Sequence, residues 1–174
     1  MKPRPYLKAN VVRGHQTAMT RKKLSAPVQW LKDNDHLSKP GTDCDWFLLD
    51  HGCGRGTDAK ILTVDEIDFD VVDKYDPYWH PRRPWFPAFL PEGHYQVILS
   101  TYVANVLPPQ EVPALIEELQ GLLTEDGVAF ITVRRDLPLT GKPGRGCYQQ
   151  YVTLDLPIVH ETSSYCIYKL TKED

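Results

Sequence analysis

Three glycines at alternate positions, directly after a short apolar run, constrain this chain more than any other feature. The run covers residues 47–49, Asp50 follows it, and the glycines are Gly52, Gly54 and Gly56. A chain that leaves a buried strand and turns at once into a helix needs residues that tolerate positive φ and leave room for a ligand. The pattern therefore predicts a strand, a turn and a helix, with a ligand site at the turn.

The spacing and the charge of this turn restrict the ligand. In the dinucleotide-binding pattern the third glycine comes three residues after the second, whereas here Gly56 comes two residues after Gly54. Asp50 adds a negative charge, which disfavours a phosphate and favours a cation. These observations argue against a nicotinamide oxidoreductase. A glycine-rich turn that binds no ligand is the simplest alternative.

The elements around the turn alternate between strands and helices, which predicts a parallel sheet covered by helices. Strands are predicted over residues 69–75, 95–100 and 128–133, and helices over residues 25–32, 57–62 and 110–123. Two further β-rich runs, residues 149–154 and 165–170, have no helix between them and would pair as an antiparallel hairpin at the sheet edge. We expect an α/β fold with a Rossmann-like, doubly wound, mostly parallel sheet and an antiparallel C-terminal hairpin.

Local patterns predict how these elements begin and which way they face. Ser25 would cap the first helix, and Thr57 or Asp58 would cap the second. Residues 126–127, an Asp-Gly pair, predict a turn before the next strand. The third helix would present leucines to the core and acidic residues to solvent, namely Leu115, Leu119 and Leu122 on one side and Glu117 and Glu118 on the other.

Charge is distributed unevenly along the chain. The whole sequence of 174 residues has a formal net charge of −3, yet the first 32 residues carry eight basic side chains and no acidic one. The remainder therefore carries a charge of about −11. We predict a basic N-terminal arm, residues 1–24, ahead of a single domain, residues 25–174. Such an arm favours a polyanionic partner, most obviously nucleic acid, and a solvated segment without a partner is the alternative.

Several other classes of protein are disfavoured by the sequence. No apolar run approaches the ~18 residues of a membrane span, so we expect no membrane partner. The four cysteines and six histidines are dispersed, without the close pairs typical of a metal site. We therefore expect no metal, free thiols, and a reducing, cytoplasmic location.

Polar residues follow the next two predicted strands. Asp76 lies at the carboxyl end of the second strand, where Pro77 stops it. A carboxylate at that place can accept hydrogen bonds from two neighbouring hydroxyls of a ribose. Asp73 is the alternative if the strand ends earlier. Thr101 and Tyr102 come just after the third strand and would face the same ligand.

Residues 50–58 resemble motif I of the class I S-adenosylmethionine (SAM) dependent methyltransferases, Asp-x-Gly-x-Gly-x-Gly. Together with residues 17–27, 75–79 and 105–107, they are similar to a group of bacterial and phage methyltransferases that includes those encoded beside DNA phosphorothioation genes. The likeness covers about residues 15–136. It implies a SAM-binding Rossmann-like fold and leaves the methyl acceptor open.

The resemblance implies a role for each residue near the turn. The glycine loop, with Cys53 inside it, would hold the amino-acid part of SAM, and Asp50 would lie near its ammonium group. Asp76, with Pro77 after it, would hold the ribose. Tyr102 and the threonine before it would face the methionine or the adenosine.

Two further features near the turn concern this chain in particular. His51 stands where many class I enzymes have a small or apolar residue. The resemblance also suggests that the basic residues 21–25 belong to the catalytic domain. They would then cover the carboxylate of the cofactor instead of binding a separate partner.

The acceptor side of the site is predicted from position alone. Tyr102 and Asn105 are the candidates for contacting the acceptor or for catalysis, and Arg134, Arg135 and Arg145 are the candidates for binding an anionic substrate. For the first two arginines, a pair with a nearby aspartate that fixes the loop is the alternative. A general base is needed only if the acceptor must lose a proton early.

These observations predict a SAM-dependent methyltransferase whose acceptor is unidentified. The uneven charge favours nucleic acid or a nucleotide-like anion as that acceptor. A catalytically silent module that binds SAM or nucleic acid is the alternative from a different class.

Overall fold

A computed structural model describes residues 17–39, 45–64, 69–76, 94–138 and 149–174. The helices are α1 (Ala26–Asp33), α2 (Thr57–Val64) and α3 (Val112–Leu122). The strands are β1 (Phe47–His51), β2 (Val71–Tyr75), β3 (Tyr95–Thr101), β4 (Leu123–Arg134), β5 (Ile158–Glu161) and β6 (Tyr165–Thr171). Short 3-10 turns, Ala104–Val106 and Pro109–Glu111, lie between β3 and α3.

The six described strands form one sheet in the order β2-β1-β3-β4-β6-β5. The first four are mutually parallel, and β6 pairs antiparallel with both β4 and β5. The chain thus leaves β1 toward one edge and returns to β3 on its other side. In such sheets ligands bind beyond the carboxyl ends of the two strands where the order reverses. The predicted doubly wound sheet with an antiparallel C-terminal pair is confirmed.

Two apolar clusters hold helices against the two faces of the sheet. Leu49 and Ile98 pack on the α3 side, and Leu48, Val97 and Leu99 pack on the α1 side. Fully burying side chains of this size contributes ~1.5–3 kcal/mol each. The buried faces of the helices are those that the apolar spacing predicts, namely Val28 and Leu31 in α1 and Leu115, Leu119 and Leu122 in α3.

The predicted partner of the last strand was wrong. β6 pairs with Ile158–Glu161, and residues 149–154 form no strand. Gln150 is buried, and its backbone N–H and side-chain amide donate to the carbonyls of Asn105 and Leu107. Because these polar groups are satisfied by the loop after β3, the segment crosses the sheet end instead of joining a ladder.

The Asp-Gly pair at 126–127 lies within β4 and is not a separate turn. The register of β4 shifts opposite Tyr95 and Val97, so the extra residues form an irregular bulge. Gly127 is required there because a Cβ at this position would lie 2.7 Å from the carbonyl oxygen of Tyr95. In the described part of the chain, no helix has the length and apolarity to cross a membrane.

Substituting alanine at two glycines should give stability changes of opposite sign. Gly127→Ala forces backbone to move and should lower the free energy of unfolding by ~1–3 kcal/mol. Gly121→Ala, in α3 with nothing within 4 Å of the new Cβ, should raise it by about 0.5–1 kcal/mol. Urea denaturation of the two variants measures both changes. Equal stability of the two variants would contradict the bulge.

Candidate functional site

The glycine turn after β1 adopts the backbone conformation that its sequence predicts. Gly52, Gly54 and Gly56 have φ values of +70°, +56° and +69°. A Cβ on Gly52 would overlap Cγ2 of Val103, and one on Gly54 would lie 2.9 Å from Cβ of Ala18. The turn is therefore closely approached by the loop after β3 on one side and by the N-terminal segment on the other.

The carboxyl end of β2 supports the turn with hydrogen bonds. The N–H groups of Gly52 and Cys53 both donate to the carbonyl of Tyr75, at 2.8 and 3.1 Å. The N–H of Gly54 donates to Oδ2 of Asp76 at 2.8 Å. Asp76 is thus a buried carboxylate at the end of β2, directly beside the turn.

The competing carboxylate lies elsewhere. Asp73 accepts a hydrogen bond from the hydroxyl of Tyr95 at 2.7 Å, within the sheet. β2 ends at Tyr75, where the sequence predicts, so Asp76 is the acid that follows the strand. Pro77, the residue predicted to stop the strand, lies outside the described residues.

Asp50, a residue of β1, is hydrogen-bonded to the first turn of α2. Its Oδ2 accepts the N–H of Ala59 at 3.3 Å, in the first turn of the helix. Asp50 thus makes a hydrogen bond of the kind that a capping side chain makes. The predicted cap by Thr57 or Asp58 stays a prediction. Asp50 is only 4% exposed, and burial, with the charge of Asp58 as the next cause, raises its pKa to about 8.

Asp58 binds the N-terminal strap, which we define as residues 17–25. Its carboxylate accepts hydrogen bonds from the backbone N–H and the hydroxyl of Ser25, both at 2.8 Å, and from Nη2 of Arg21 at 2.6 Å. Ser25 precedes α1 as predicted, yet its side chain makes no capping bond within α1. Arg55 adds a bond to the hydroxyl of Thr20 at 2.9 Å.

These contacts bear on the predicted N-terminal arm. The strap contributes a buried side chain, Leu24, to the core, and it lies against the turn through Ala18. Residues 1–16 lie outside the described residues. The division into residues 1–24 and 25–174 stays a prediction, with the basic residue Arg21 held by the domain.

Tyr102 has an unusual backbone at the end of β3. Its φ is +65°, in the left-handed region that favours glycine, while its N–H donates to the carbonyl of Thr132 at 2.8 Å. Burial raises the pKa of its phenol to about 12, against the opposing charges of Arg134 and Arg21. Strained residues of this kind cluster at functional sites. Thr101, just before it, is half-buried at the same strand end.

Asn105 follows Tyr102 by three residues, and both polar atoms of its side-chain amide are hydrogen-bonded. Oδ1 accepts the N–H of Arg134 at 2.8 Å, and Nδ2 donates to the carbonyl of Gln150 at 2.9 Å. The residue is 1% exposed. Its visible role is to join the loops that follow β3 and β4. Its predicted contact with an acceptor stays a prediction.

The two arginines after β4 differ in environment. Arg134 binds Asp136 through Nε and Nη2, both at 2.8 Å, and this pair raises the pKa of the arginine and lowers that of the aspartate. Arg135 has a side chain that is 8% exposed, and it bonds to Glu161 and to the hydroxyl of Tyr168. The loop-fixing pair weighed for these arginines is therefore present. Their binding of a substrate stays a prediction, and Arg145 lies outside the described residues.

Cys53 lies inside the turn in an environment that disfavours a thiolate. Burial, and then the charges of Asp50 and Asp76, raise the pKa of the thiol. A protonated thiol is a poor nucleophile, so packing explains this residue. Within the described ranges, no three histidine, cysteine or acidic side chains are grouped closely enough to hold a metal ion.

The raised pKa of Asp50 predicts an inverted dependence of stability on pH. Between pH ~4 and 8 the native protein keeps a proton that the unfolded chain releases, so stability should fall as the pH rises, by up to about 1.4 kcal/mol per pH unit. Asp50→Asn keeps an acceptor for Ala59 but does not titrate. Its unfolding free energy, measured in urea at pH 5, 6.5 and 8, should decline less steeply than that of the wild type. The exposed Asp33→Asn serves as the control, and parallel curves for Asp50→Asn and wild type would contradict the argument.

Comparison with known proteins supports the fold. No family model matches the chain, and no curated protein matches its sequence. One similar structure is the 1,6-didemethyltoxoflavin-N1-methyltransferase of Burkholderia thailandensis, solved with 1,6-didemethyltoxoflavin and S-adenosylhomocysteine. The match covers 83% of this chain and 76% of that chain, with 16% sequence identity and a TM-score of 0.54. The magnesium protoporphyrin IX methyltransferase of Synechocystis PCC 6803, solved with S-adenosylhomocysteine, is 15% identical with a TM-score of 0.51, over 82% and 78%.

At this level of identity the likeness concerns the fold alone. The two structures share with this chain a sheet of mostly parallel strands flanked by helices. The described part of the chain therefore has the Rossmann-like fold of SAM-dependent methyltransferases.

Proposed function

We propose that this chain is a SAM-dependent methyltransferase whose glycine turn and Asp76 hold the cofactor. One observation carries the proposal. A turn with three positive-φ glycines follows β1, one of the two strands at which the strand order reverses, and a buried carboxylate after the neighbouring strand β2 is bonded to it. That is the place where an open α/β sheet binds its ligand. The solved methyltransferases of the same fold hold S-adenosylhomocysteine.

The charges around the turn suit SAM. This cofactor carries a sulfonium and an ammonium group besides one carboxylate, so it has a net positive charge. Asp58 and Asp76 are both buried near the turn, and Arg21 pairs with Asp58. A site of this composition attracts a cation and repels a pyrophosphate. The residues present therefore fit SAM better than a dinucleotide.

The carboxylates take different parts in this proposal. Asp76 would accept hydrogen bonds from the ribose hydroxyls while it holds Gly54. Asp50 is buried behind the turn and bonds to α2. Because its carboxyl group keeps its proton at neutral pH, it would act on the site through its hydrogen bond to α2 and not through a charge.

The chemistry requires little beyond orientation. When bound, SAM supplies a methyl group on a sulfonium, with its leaving group already in place. The task of the protein is to align the acceptor with that methyl, which can lower the barrier by ~7–11 kcal/mol. Tyr102 is the residue we assign to this task, because it borders the strand-order reversal. Its phenol keeps its proton at neutral pH, so it would orient the acceptor as a hydrogen-bond donor.

We further propose that the acceptor is nucleic acid or a nucleotide-like anion. Support comes from the eight basic residues among the first 32 of the chain. Arg134 and Arg135 add little to this argument, since each is paired with an acidic residue. The free, buried thiol of Cys166 fits the reducing, cytoplasmic location that we propose.

Titration calorimetry with SAM tests the cofactor. The wild type should bind SAM and should not bind NAD. Asp76→Asn should weaken SAM binding more than tenfold, because hydrogen bonds to a charged group contribute ~1.5–3 kcal/mol. Asp73→Asn, three residues earlier in the chain, is the matched control and should bind SAM as the wild type does. The assignment would be contradicted if Asp73→Asn alone lost SAM binding, or if the wild-type protein bound NAD.

Salt dependence tests the nucleic-acid partner. Deleting residues 1–16 removes Lys2, Arg4, Lys8 and Arg13 and leaves the strap in place. Binding of single-stranded DNA or RNA should then weaken, and the slope of log affinity against log salt should shrink by up to about 3. SAM binding should be unchanged by the deletion. An unchanged affinity and slope for nucleic acid would remove the polyanion from the proposal.

A further inference from the structure

His51 and Glu118 form a buried polar pair directly behind the glycine turn. His51 ends β1 and immediately precedes Gly52. Its side chain is 2% exposed, and Nε2 lies 2.6 Å from Oε1 of Glu118 in α3. In the described part of the structure Nδ1 is buried without a hydrogen-bond partner.

The position of Glu118 differs from its prediction. The helical spacing placed this residue on the solvent side of α3, yet its side chain is only 13% exposed and reaches His51. Its neighbour Glu117 is exposed as predicted. The rest of the buried face of α3 is apolar. Glu118 is therefore a polar side chain beside the apolar face of α3, and there it contacts His51.

Such a pair is a poor source of stability. Removing two polar groups from water costs several kcal/mol, and replacing a buried pair by apolar residues is often neutral or stabilising. The unpartnered Nδ1 adds to that cost. The pair therefore calls for a role other than stability.

The surroundings of His51 indicate that role. Its ring packs against the ring of Tyr75, with centroids 5.5 Å apart. The carbonyl of Tyr75 holds the N–H groups of Gly52 and Cys53. His51 is thus connected to the turn in two ways, through its peptide bond to Gly52 and through its ring contact with Tyr75. A displaced imidazole would therefore act on the turn through the backbone of His51 and through Tyr75, whose carbonyl accepts two N–H groups of the turn.

We propose that His51 and Glu118 are positioning residues that hold the glycine turn in its cofactor-binding conformation. Glu118 fixes the imidazole from α3, and the imidazole fixes Gly52 and the backbone of Tyr75. A second contact, Val103 against Gly52, holds the turn from the loop that leads to α3. The turn is thereby clamped between two parts of one connected segment, residues 103–118. The inference rests on the proposed function for its ligand and on the structure for its geometry.

A double substitution separates positioning from stability. Glu118→Leu alone leaves the buried imidazole of His51 without its acceptor, and His51→Leu alone removes the imidazole from Glu118, so in both variants Tm and SAM affinity should fall. The double variant has two apolar residues in contact, so its Tm should recover toward that of the wild type. Its Kd for SAM should stay at least tenfold weaker. Glu117→Leu, exposed on the same helix, is the control and should leave Kd unchanged.

Hydrogen exchange of the amides of residues 52–55 supplies a readout that needs no cofactor. These amides should exchange at least tenfold faster in the double variant than in the wild type. Recovery of Tm, of SAM affinity and of slow exchange together would overturn the proposal and leave the pair a packing feature. If the wild type binds no SAM, the proposed function fails, and the exchange rates still decide whether the pair positions the turn.

A conservative pair of variants keeps the test decisive if the double variant does not fold. Glu118→Gln retains an oxygen that accepts from Nε2 of His51, whereas Glu118→Met retains the length of the side chain without an acceptor. The glutamine variant should keep near wild-type exchange at residues 52–55, and the methionine variant should lose it. Equal exchange in the two variants would overturn the proposal.

Discussion

The carbonyl of Tyr75 and the carboxylate of Asp76 make the glycine turn possible. A turn at positive φ points its N–H groups away from any helix or ladder, and buried N–H groups must be paired. The end of β2 supplies these acceptors for three successive residues, 52–54. The register between β1 and β2, the start of α2 and the place of the proposed cofactor site all depend on this arrangement.

Much of this arrangement could be predicted from the sequence because it depends on local chemistry. The alternate glycines specify a backbone that few other residues adopt, and Leu115 and Leu119 follow a helical period that is independent of their partners. The position of Asp76 just after β2 could be predicted because proline at 77 restricts how far the preceding strand extends. In each case a residue type within a few positions determines the outcome.

Features that depend on distant partners could not be predicted in the same way. The helical period places Glu118 on the solvent side of its own helix, yet its side chain contacts a histidine 67 positions earlier in the chain. Asp58 has the pattern of a helix cap, yet it binds Ser25 from another element. The run 149–154 has β propensity, but the polar groups of Gln150 find acceptors in a loop. Propensity describes a segment alone, whereas these contacts are decided by what the fold brings beside it.

The strap places residues 17–25 beside the proposed cofactor site. Arg21 and Ser25 bind Asp58 at the start of α2, and Ala18 lies on the turn itself. Residues 1–16, with their basic side chains, continue directly into this segment. Any ligand that shifts the strap by binding residues 1–16 would change the affinity of the turn for its own ligand. By thermodynamic linkage, binding of a ligand at the turn would change the affinity of residues 1–16 for their own ligand by the same factor.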